Sequence, residues 1–504
     1  MKKTLILWLF ILVKLGLHAV IIGPGYDLHR DEYLHLDQAK HLAWGYLSVP
    51  PFTSWISYLI LLLGNSVFWV KFFPALFGVL TMVVVWKAIE ALKGGLFALI
   101  LGAAAVTFSV LLRINMLYQP NSADVLFWTL LYFSVLKYIE SEDNKWLYLT
   151  AVALGFGFLN KYNIIFQVIG LIPALLITPQ RKIFANKHLY FAGIIALLIA
   201  LPNLIWQFQN NFPVVHHMQL LEKTQLVNVN RLDFLKEQLL FFMGSIFVLF
   251  AGFFSFFRYP AFRKYQAFFL AFVFTLSLFT YLRAKGYYAI GLYPIFFAFG
   301  AVYLENALRV KFTWLRPVAV LVILLLFIPV FRVAFPIDSP AVMSQHSKRY
   351  QALGLLRWED GKDHALPQDF ADMLGWKELA EKVDAAYEKI EDKSHTLVLC
   401  DNYGQAGAIN YYSRYNIQAV TMNADYINWV PLDEEIKNVI LVQNADDDDQ
   451  ERKKEQPLFK TILRTGKIEN QYARERGTSI YALLDAKVSI NEILKSDISE
   501  NKWD

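Results

Sequence analysis

Asp31, Glu32 and Asp124, with Arg113, Lys161, Arg283 and Lys285, are ionisable residues standing at or beside the ends of long apolar runs. Carboxylates and cations gathered at one membrane face suit a substrate that carries both a phosphate and a hydroxyl. The cations would hold the phosphate, and a carboxylate would take a proton from an attacking hydroxyl. A substrate met at head-group depth is expected to be lipid-linked. Each residue also has a plainer role. Asp31 and Glu32 would favour a helix N-terminus through the macrodipole, worth roughly 0.3–1 kcal/mol, and for a lone acidic pair that role is favoured. Asp124 follows Asn121-Ser122, where Ser122 reads as an N-cap. Any one of the four basic residues could snorkel to anionic head groups. The case for chemistry rests on their number and shared side.

The elements that must position them are membrane helices. The chain is 56% hydrophobic and only 18% charged, against about a quarter charged in soluble domains. Residues 4–335 are mostly apolar runs and 336–504 read as an ordinary soluble sequence, so two domains are expected, 1–335 and 336–504. Roughly eleven spans are read in the first, near 4–22, 67–87, 95–112, 123–140, 146–160, 162–178, 188–207, 237–257, 265–282, 287–305 and 314–335. With the N-terminus inside, the inner loops carry Lys87 and Lys93, Lys137 and Lys145, Arg181 and Lys182, Arg258 and Arg263, and Arg309 and Lys311. That is the positive-inside pattern. An odd number of spans then puts the C-terminal domain outside, in the periplasm of a Gram-negative cell. The net charge of +5 reflects these basic loops and not nucleic-acid binding. The single cysteine, Cys400, excludes an internal disulfide and a cluster of thiolate ligands. The first apolar run follows Met-Lys-Lys but lacks a small-residue cleavage site, so it reads as an uncleaved helix.

The outer loop 23–66 is the most informative. Leu36, Ala39, Ala43 and Tyr46 recur at helical spacing, which predicts an amphipathic helix over 31–47 lying on the membrane surface. Pro50-Pro51 stops it, and the apolar stretch 52–63, short for a span, is expected to dip into the interface. Lys14 and His18 share a face of the first span and read as structural. His216-His217 lack a third ligand by spacing, and Asp446–Asp449 lack the alternation and glycine of a calcium loop. The C-terminal part reads as mixed α/β. A helix is expected at 376–391 and another from Gly404 to Tyr412, with strands at His395–Cys400, Val439–Val442 and Ser479–Leu484. Gly404 and Gly407 make no dinucleotide fingerprint.

Arg30-Asp31-Glu32-Tyr33, Ala39, Gly45-Tyr46 and Pro50-Pro51 resemble the first outer loop of the dolichyl-phosphate-mannose protein mannosyltransferase-like family. That family includes the aminoarabinose transferases of lipid A and has the GT-C fold. Pro120 to Asn163, with Asp124, Phe127-Trp128, Gly155 and Lys161-Tyr162, is also similar to it. So are Trp206-Gln207, Phe212-Pro213, Lys285-Gly286-Tyr287-Tyr288 and Tyr293-Pro294, and Asn402-Tyr403-Gly404-Gln405-Ala406-Gly407 with Tyr411-Tyr412. One departure is Val49, where many members have a basic residue before the double proline.

The resemblance implies a polytopic α-helical membrane protein of GT-C type with a C-terminal soluble α/β domain. It implies transfer of one sugar from a polyprenyl-phosphate donor to a protein, lipid A or glycan acceptor at the outer face of the bacterial inner membrane. By matching position, Asp31 would be the general base, with Glu32 beside it shaping the site and Asp124 in the same cavity. Lys285, with Lys161 or Arg283, would hold the donor phosphate, and Arg113, Tyr287 and Tyr288 join this substrate-binding set. No metal cofactor is implied as obligatory, although the carboxylates could bind a divalent ion. Nucleic acid is not an expected partner. The rival reading is a transporter, which would show internal repeats and broken helices near the midplane.

Overall fold

The computed structural model describes residues 2–501 and divides the chain into two compact units. The first comprises Met1–Ile21, Val49–Thr53 and Phe68–Phe335; the second comprises Ile22–Ser48, Ser54–Val67 and Pro336–Asp504. The boundary read at Phe335-Pro336 is therefore one of several crossings, because most of the first outer loop belongs to the C-terminal unit.

The first unit is helical. Among the described residues five helices are long and apolar enough to cross a membrane: Lys2–Val20, Val67–Ala91, Pro120–Ser141, Lys187–Gln209 and Leu315–Ala334. Three bent pairs raise the number to eight if each is one span: Ile164–Leu176 with Pro179–Ala185, Ile246–Arg258 with Pro260–Tyr281, and Gly286–Leu292 with Pro294–Ala307. The break in every pair sits at a proline, which removes a helical donor and clashes with the preceding turn. The sequence reading of roughly eleven spans exceeds this count. Its runs near 95–112 and 146–160 fold as Leu96–Thr107 and Lys145–Asn160, helices of 12 and 16 residues. Close helix contact comes from small residues. A Cβ on Gly252 would stand 2.6 Å from the Phe296 carbonyl oxygen, and one on Gly300 would run into the Val248 carbonyl. Aromatic side chains such as Trp128, Phe268, Phe279 and Phe299 fill the interior.

The second unit is built on a five-stranded sheet of order β2-β1-β3-β5-β4, with β1 Thr396–Cys400, β2 Ala419–Thr421, β3 Asn438–Gln443, β4 Phe459–Lys467 and β5 Ser479–Ala486. β1 runs parallel to β2 and β3, pairing Cys400 with Thr421 and with Val442, while β5 is antiparallel to both β3 and β4. Helix Trp376–Glu388 presents Trp376, Leu379 and Val383 to the interior.

The surface helix expected over 31–47 is shorter and faces protein. It spans Arg30–Asp37, continues as a 3-10 turn over Gln38–Lys40, and buries Leu36 and Ala39, while Tyr46 is buried beyond its end. Its partner is helix Tyr403–Tyr412. The two glycines of the Asn402–Gly407 motif permit this approach: a Cβ on Gly404 would stand 2.6 Å from Arg30 Cγ, and one on Gly407 would stand 2.6 Å from Tyr33 Cβ. Helical periodicity shows that a face is buried; it does not distinguish lipid from protein as the cover.

Candidate functional site

The predicted residues fall into two groups, one in each unit. In the second unit, His29 caps helix Arg30–Asp37. Its Nδ1 accepts from the Asp31 backbone N–H at 3.2 Å, and Glu32 Oε2 accepts from the His29 N–H at 2.7 Å. This is a capping box with histidine in the serine position. It separates the two adjacent acids. Glu32 is fully buried, and the bond from the His29 N–H sets one of its oxygens at the helix start. Asp31 is 38% exposed, and its Oδ1 accepts from the Tyr403 hydroxyl at 2.7 Å.

Tyr403 is held for this task from both sides. Asn402 caps its helix by accepting from Gly404 and Gln405 N–H, and the Arg30 guanidinium lies 4.5 Å from the centre of the Tyr403 ring. The Arg30 backbone N–H donates to the Asp372 carbonyl at 3.0 Å, and the Asp372 carboxylate stands 3.3 Å from Arg474. Burial pushes the Asp31 carboxyl up, but His29, the Tyr403 hydroxyl and Arg30 outweigh it and hold it below the usual carboxylate range. Asp31 is thus an ionised carboxylate with one oxygen anchored and a partly open face.

In the first unit the second group forms where helix Pro120–Ser141 starts and helix Lys145–Asn160 ends. Asn160 Nδ2 donates to the Pro120 carbonyl at 2.9 Å, tying the two ends together. Lys161 follows in extended conformation, and its Nζ donates to Asn121 Oδ1 at 2.8 Å. The ammonium lies 4.5 Å from the Tyr288 ring centre and 5.2 Å from that of Tyr287, within reach of cation–π attraction. Asp124 accepts from Trp128 Nε1 at 3.0 Å and from Asn163 Nδ2 at 3.2 Å, and Asn163 also donates to the Tyr288 carbonyl at 2.9 Å. Asp124 is thereby fixed, with no ion pair to Lys161 within 4 Å among the described residues. Among the described residues Lys161 makes no salt bridge. Lys285 Nζ donates to Gln225 Oε1 at 2.5 Å.

The structure brings Asp124, Lys161, Tyr287 and Tyr288 together. Arg113 lies on helix Val110–Ile114 with Nη1 3.4 Å from Met116 Sδ. Arg283 donates to the Val227 carbonyl at 3.0 Å and lines a surface cavity with Arg231. Ser122, read as an N-cap, instead donates to the Ile114 carbonyl at 3.0 Å; the capping position is Gln119. Tyr403, Asn121 and Asn163 were not singled out by type or spacing. Only Asn163, two residues after a lysine in an apolar context, offered a local signal. Among the described residues no three His, Cys, Asp or Glu side chains converge as metal ligands.

Residues 48–206 match the family described as dolichyl-phosphate-mannose-protein mannosyltransferase, a stretch that holds Asp124 and Lys161. The lipid A galacturonosyltransferase RgtD of Rhizobium johnstonii is 27% identical over 198 residues, which are 38% of this chain and 41% of that protein. The chain thus spans about two-fifths of the relative it matches. The crystal structure of ArnT from Cupriavidus metallidurans bound to undecaprenyl phosphate superposes with a TM-score of 0.63 at 14% identity, covering 94% of this chain and 97% of that one. The chain has the GT-C glycosyltransferase fold. The archaeal oligosaccharyltransferase AglB from Archaeoglobus fulgidus, solved with an inhibitory peptide and a dolichol-phosphate, agrees with a TM-score of 0.51 at 11% identity over 88% of this chain and 69% of that one. The long apolar helices make the chain a multi-pass membrane protein, and its small C-terminal sheet belongs to the same likeness of fold.

Proposed function

We propose that this chain moves one sugar from a polyprenyl-phosphate-linked donor to a hydroxyl of a lipid, glycan or protein acceptor. Lys161 carries the reading. Its ammonium is oriented by two tyrosine rings and one amide, has no salt bridge among the described residues, and lies in the stretch that matches the mannosyltransferase family. A cation held in this way suits a phosphate oxygen. The ArnT and AglB structures hold undecaprenyl phosphate and a dolichol-phosphate respectively, which supports a prenyl phosphate as the ligand here.

In the proposed reaction the acceptor oxygen bonds to the anomeric carbon as the bond from that carbon to the phosphate oxygen breaks. The lipid phosphate leaves with the electron pair, and Lys161 and Lys285 offset the charge that develops on it. Asp31, ionised and anchored by Tyr403, takes the proton of the acceptor hydroxyl. The Lys and Arg bias of the alternate loops supports a cytoplasmic-membrane location with the second unit on the periplasmic side.

The test is transfer from radiolabelled undecaprenyl-phosphate pentose, hexose and uronic acid donors by the full-length protein in nanodiscs. Asp31→Asn is expected to lower kcat at least about a hundredfold, the usual range for a lost general base. Near-normal turnover of Asp31→Asn would remove the base assignment. Uptake of a solute by proteoliposomes, with no covalent transfer from any donor, would favour the transporter.

A further inference from the structure

Within the second unit, a cavity of about 260 Å³ lies beside the edge strand β2. Its walls include Asp37 and Lys40 from the end of the first-loop helix, and Asn416, Gln418 and Trp429 from the segments that flank β2. None of these belongs to the group around Asp31. Asp37 is nearly buried, yet only one of its oxygens is used by the fold: Oδ2 accepts from Asn410 Nδ2 and from the Tyr426 hydroxyl, both at 2.7 Å. Asn410 is itself locked, donating to the Ala419 carbonyl at 3.1 Å and accepting from the Ala419 N–H at 2.7 Å. The carboxylate is therefore held in one orientation, and among the described residues no hydrogen bond occupies Oδ1.

Part of the lining is aromatic. The His41 imidazole stacks on the Trp429 indole with centroids 4.2 Å apart and planes 9° from parallel. Asn416, Gln418 and Lys40 are exposed. Gln418 makes one long bond, Nε2 to the Trp429 carbonyl at 3.4 Å. A fixed carboxylate, two exposed amides, an ammonium and an indole around a small cavity form a distinctive set. Carboxylate and amide groups take up vicinal hydroxyls through paired donor and acceptor atoms. An indole beside them covers the C–H face of a ring that is polar at its edge. A cation would meet Lys40 and only one carboxylate.

We infer that this cavity is a saccharide-binding site sized for one pyranose ring, with Asp37 Oδ1, Asn416 and Gln418 bonding its hydroxyls and Trp429 packing on its face. Resting on the transferase reading, the site would hold a non-reacting sugar of the acceptor, which makes that acceptor a glycan or glycolipid. The probe is a panel of methyl glycosides of common hexoses, hexosamines and uronic acids, read by saturation-transfer NMR on the full-length protein in nanodiscs. At least one glycoside is expected to receive transfer from wild type. Gln418→Ala and Trp429→Ala are each expected to reduce that signal at least threefold. Gln418 is exposed, so its variant keeps the fold even if Trp429→Ala does not. In the transfer assay Gln418→Ala should raise the acceptor KM at least fivefold at unchanged kcat. Absence of binding by every glycoside, or equal binding by wild type and Gln418→Ala, would overturn the site. Binding with unchanged acceptor KM would keep a saccharide site and overturn its acceptor role. The NMR arm needs no turnover, so its result stands apart from the fate of the transferase reading.

Discussion

Tyr403→Phe removes one hydroxyl, 2.7 Å from Asp31 Oδ1, and leaves the ring on which Arg30 stacks. A hydrogen bond to a charged group is worth about 1.5–3 kcal/mol when buried. Asp31 is 38% exposed, so solvent takes part of that, leaving about 1 kcal/mol. The Tyr403 hydroxyl is one of the groups that favour the ionised form, so the Asp31 pKa should rise in the variant. The sign follows from the direction of the native shift. Asp31 is held below the usual carboxylate range, so its pairing contributes stability above the unfolded-state pKa, and that contribution is lost as pH falls through the folded pKa. The variant should melt earlier than wild type at pH 7 by about 1 kcal/mol, and the difference should fade on acidification. If Asp31 is the base, the acid limb of the kcat/KM profile should move to higher pH in the variant. The assay is a pH series of donor turnover and thermal melts for both proteins in nanodiscs. A folded Tyr403→Phe variant with an unmoved acid limb would refute the coupling of Tyr403 to the base.

Lys161→Met should cut kcat about a hundredfold, as loss of one charge-stabilising donor does, with melting little changed; turnover within threefold of wild type would remove Lys161 from the phosphate site. Asp37 and Asp425 are both buried in the second unit, and burial pushes each carboxyl up to about 6. A raised carboxyl favours the folded state most below its unfolded pKa and loses that advantage as pH rises through about 6, so melts should show this unit losing about 2 kcal/mol per group between pH 4 and 7. Asp425→Asn should destabilise by about 1–3 kcal/mol, because both its oxygens accept, from Leu47 N–H at 2.7 Å and Gln38 Nε2 at 3.0 Å, and an amide would face one donor with another. Gly300→Ala should cost about 1–3 kcal/mol through overpacking against the Val248 carbonyl; an unchanged denaturation midpoint in detergent would contradict the close crossing of these helices.

The sequence was most legible where one local rule decided the outcome. Helix Trp376–Glu388 and strands β1, β3 and β5 fell where periodicity placed them, within a few residues. β2 was missed because it is only three residues long, and β4 because Phe459–Lys467 has the solvent-facing, charge-interrupted pattern of an edge. The spans were less legible in detail, because hydropathy registers apolar length and not the direction of a helix or its bends. The helix pairs that break at Pro179, Pro260 and Pro294 are bent by 107°, 99° and 50°.

Asp31 and Glu32 show where legibility ends. As neighbours at a helix start they are indistinguishable by composition or dipole logic, and both read as candidates for base chemistry. Their fates diverge because of His29, two positions before Asp31, and a tyrosine 372 positions after it. His29 makes a capping box whose acceptor is the third helical residue, which draws Glu32 inward and points Asp31 outward. The helix is then pressed against Gly404 and Gly407, and only that approach brings the Tyr403 hydroxyl to Asp31. If the box makes this choice, His29→Ser should preserve it, since serine caps the same N–H, and activity should stay within a few-fold of wild type. His29→Leu should free Glu32, destabilise the second unit by about 1 kcal/mol, and lower turnover through loss of Asp31 orientation. Equal loss in both variants would mean that His29 acts on Asp31 by charge and not as a cap, which the 3.9 Å separation of their side chains would then have to support.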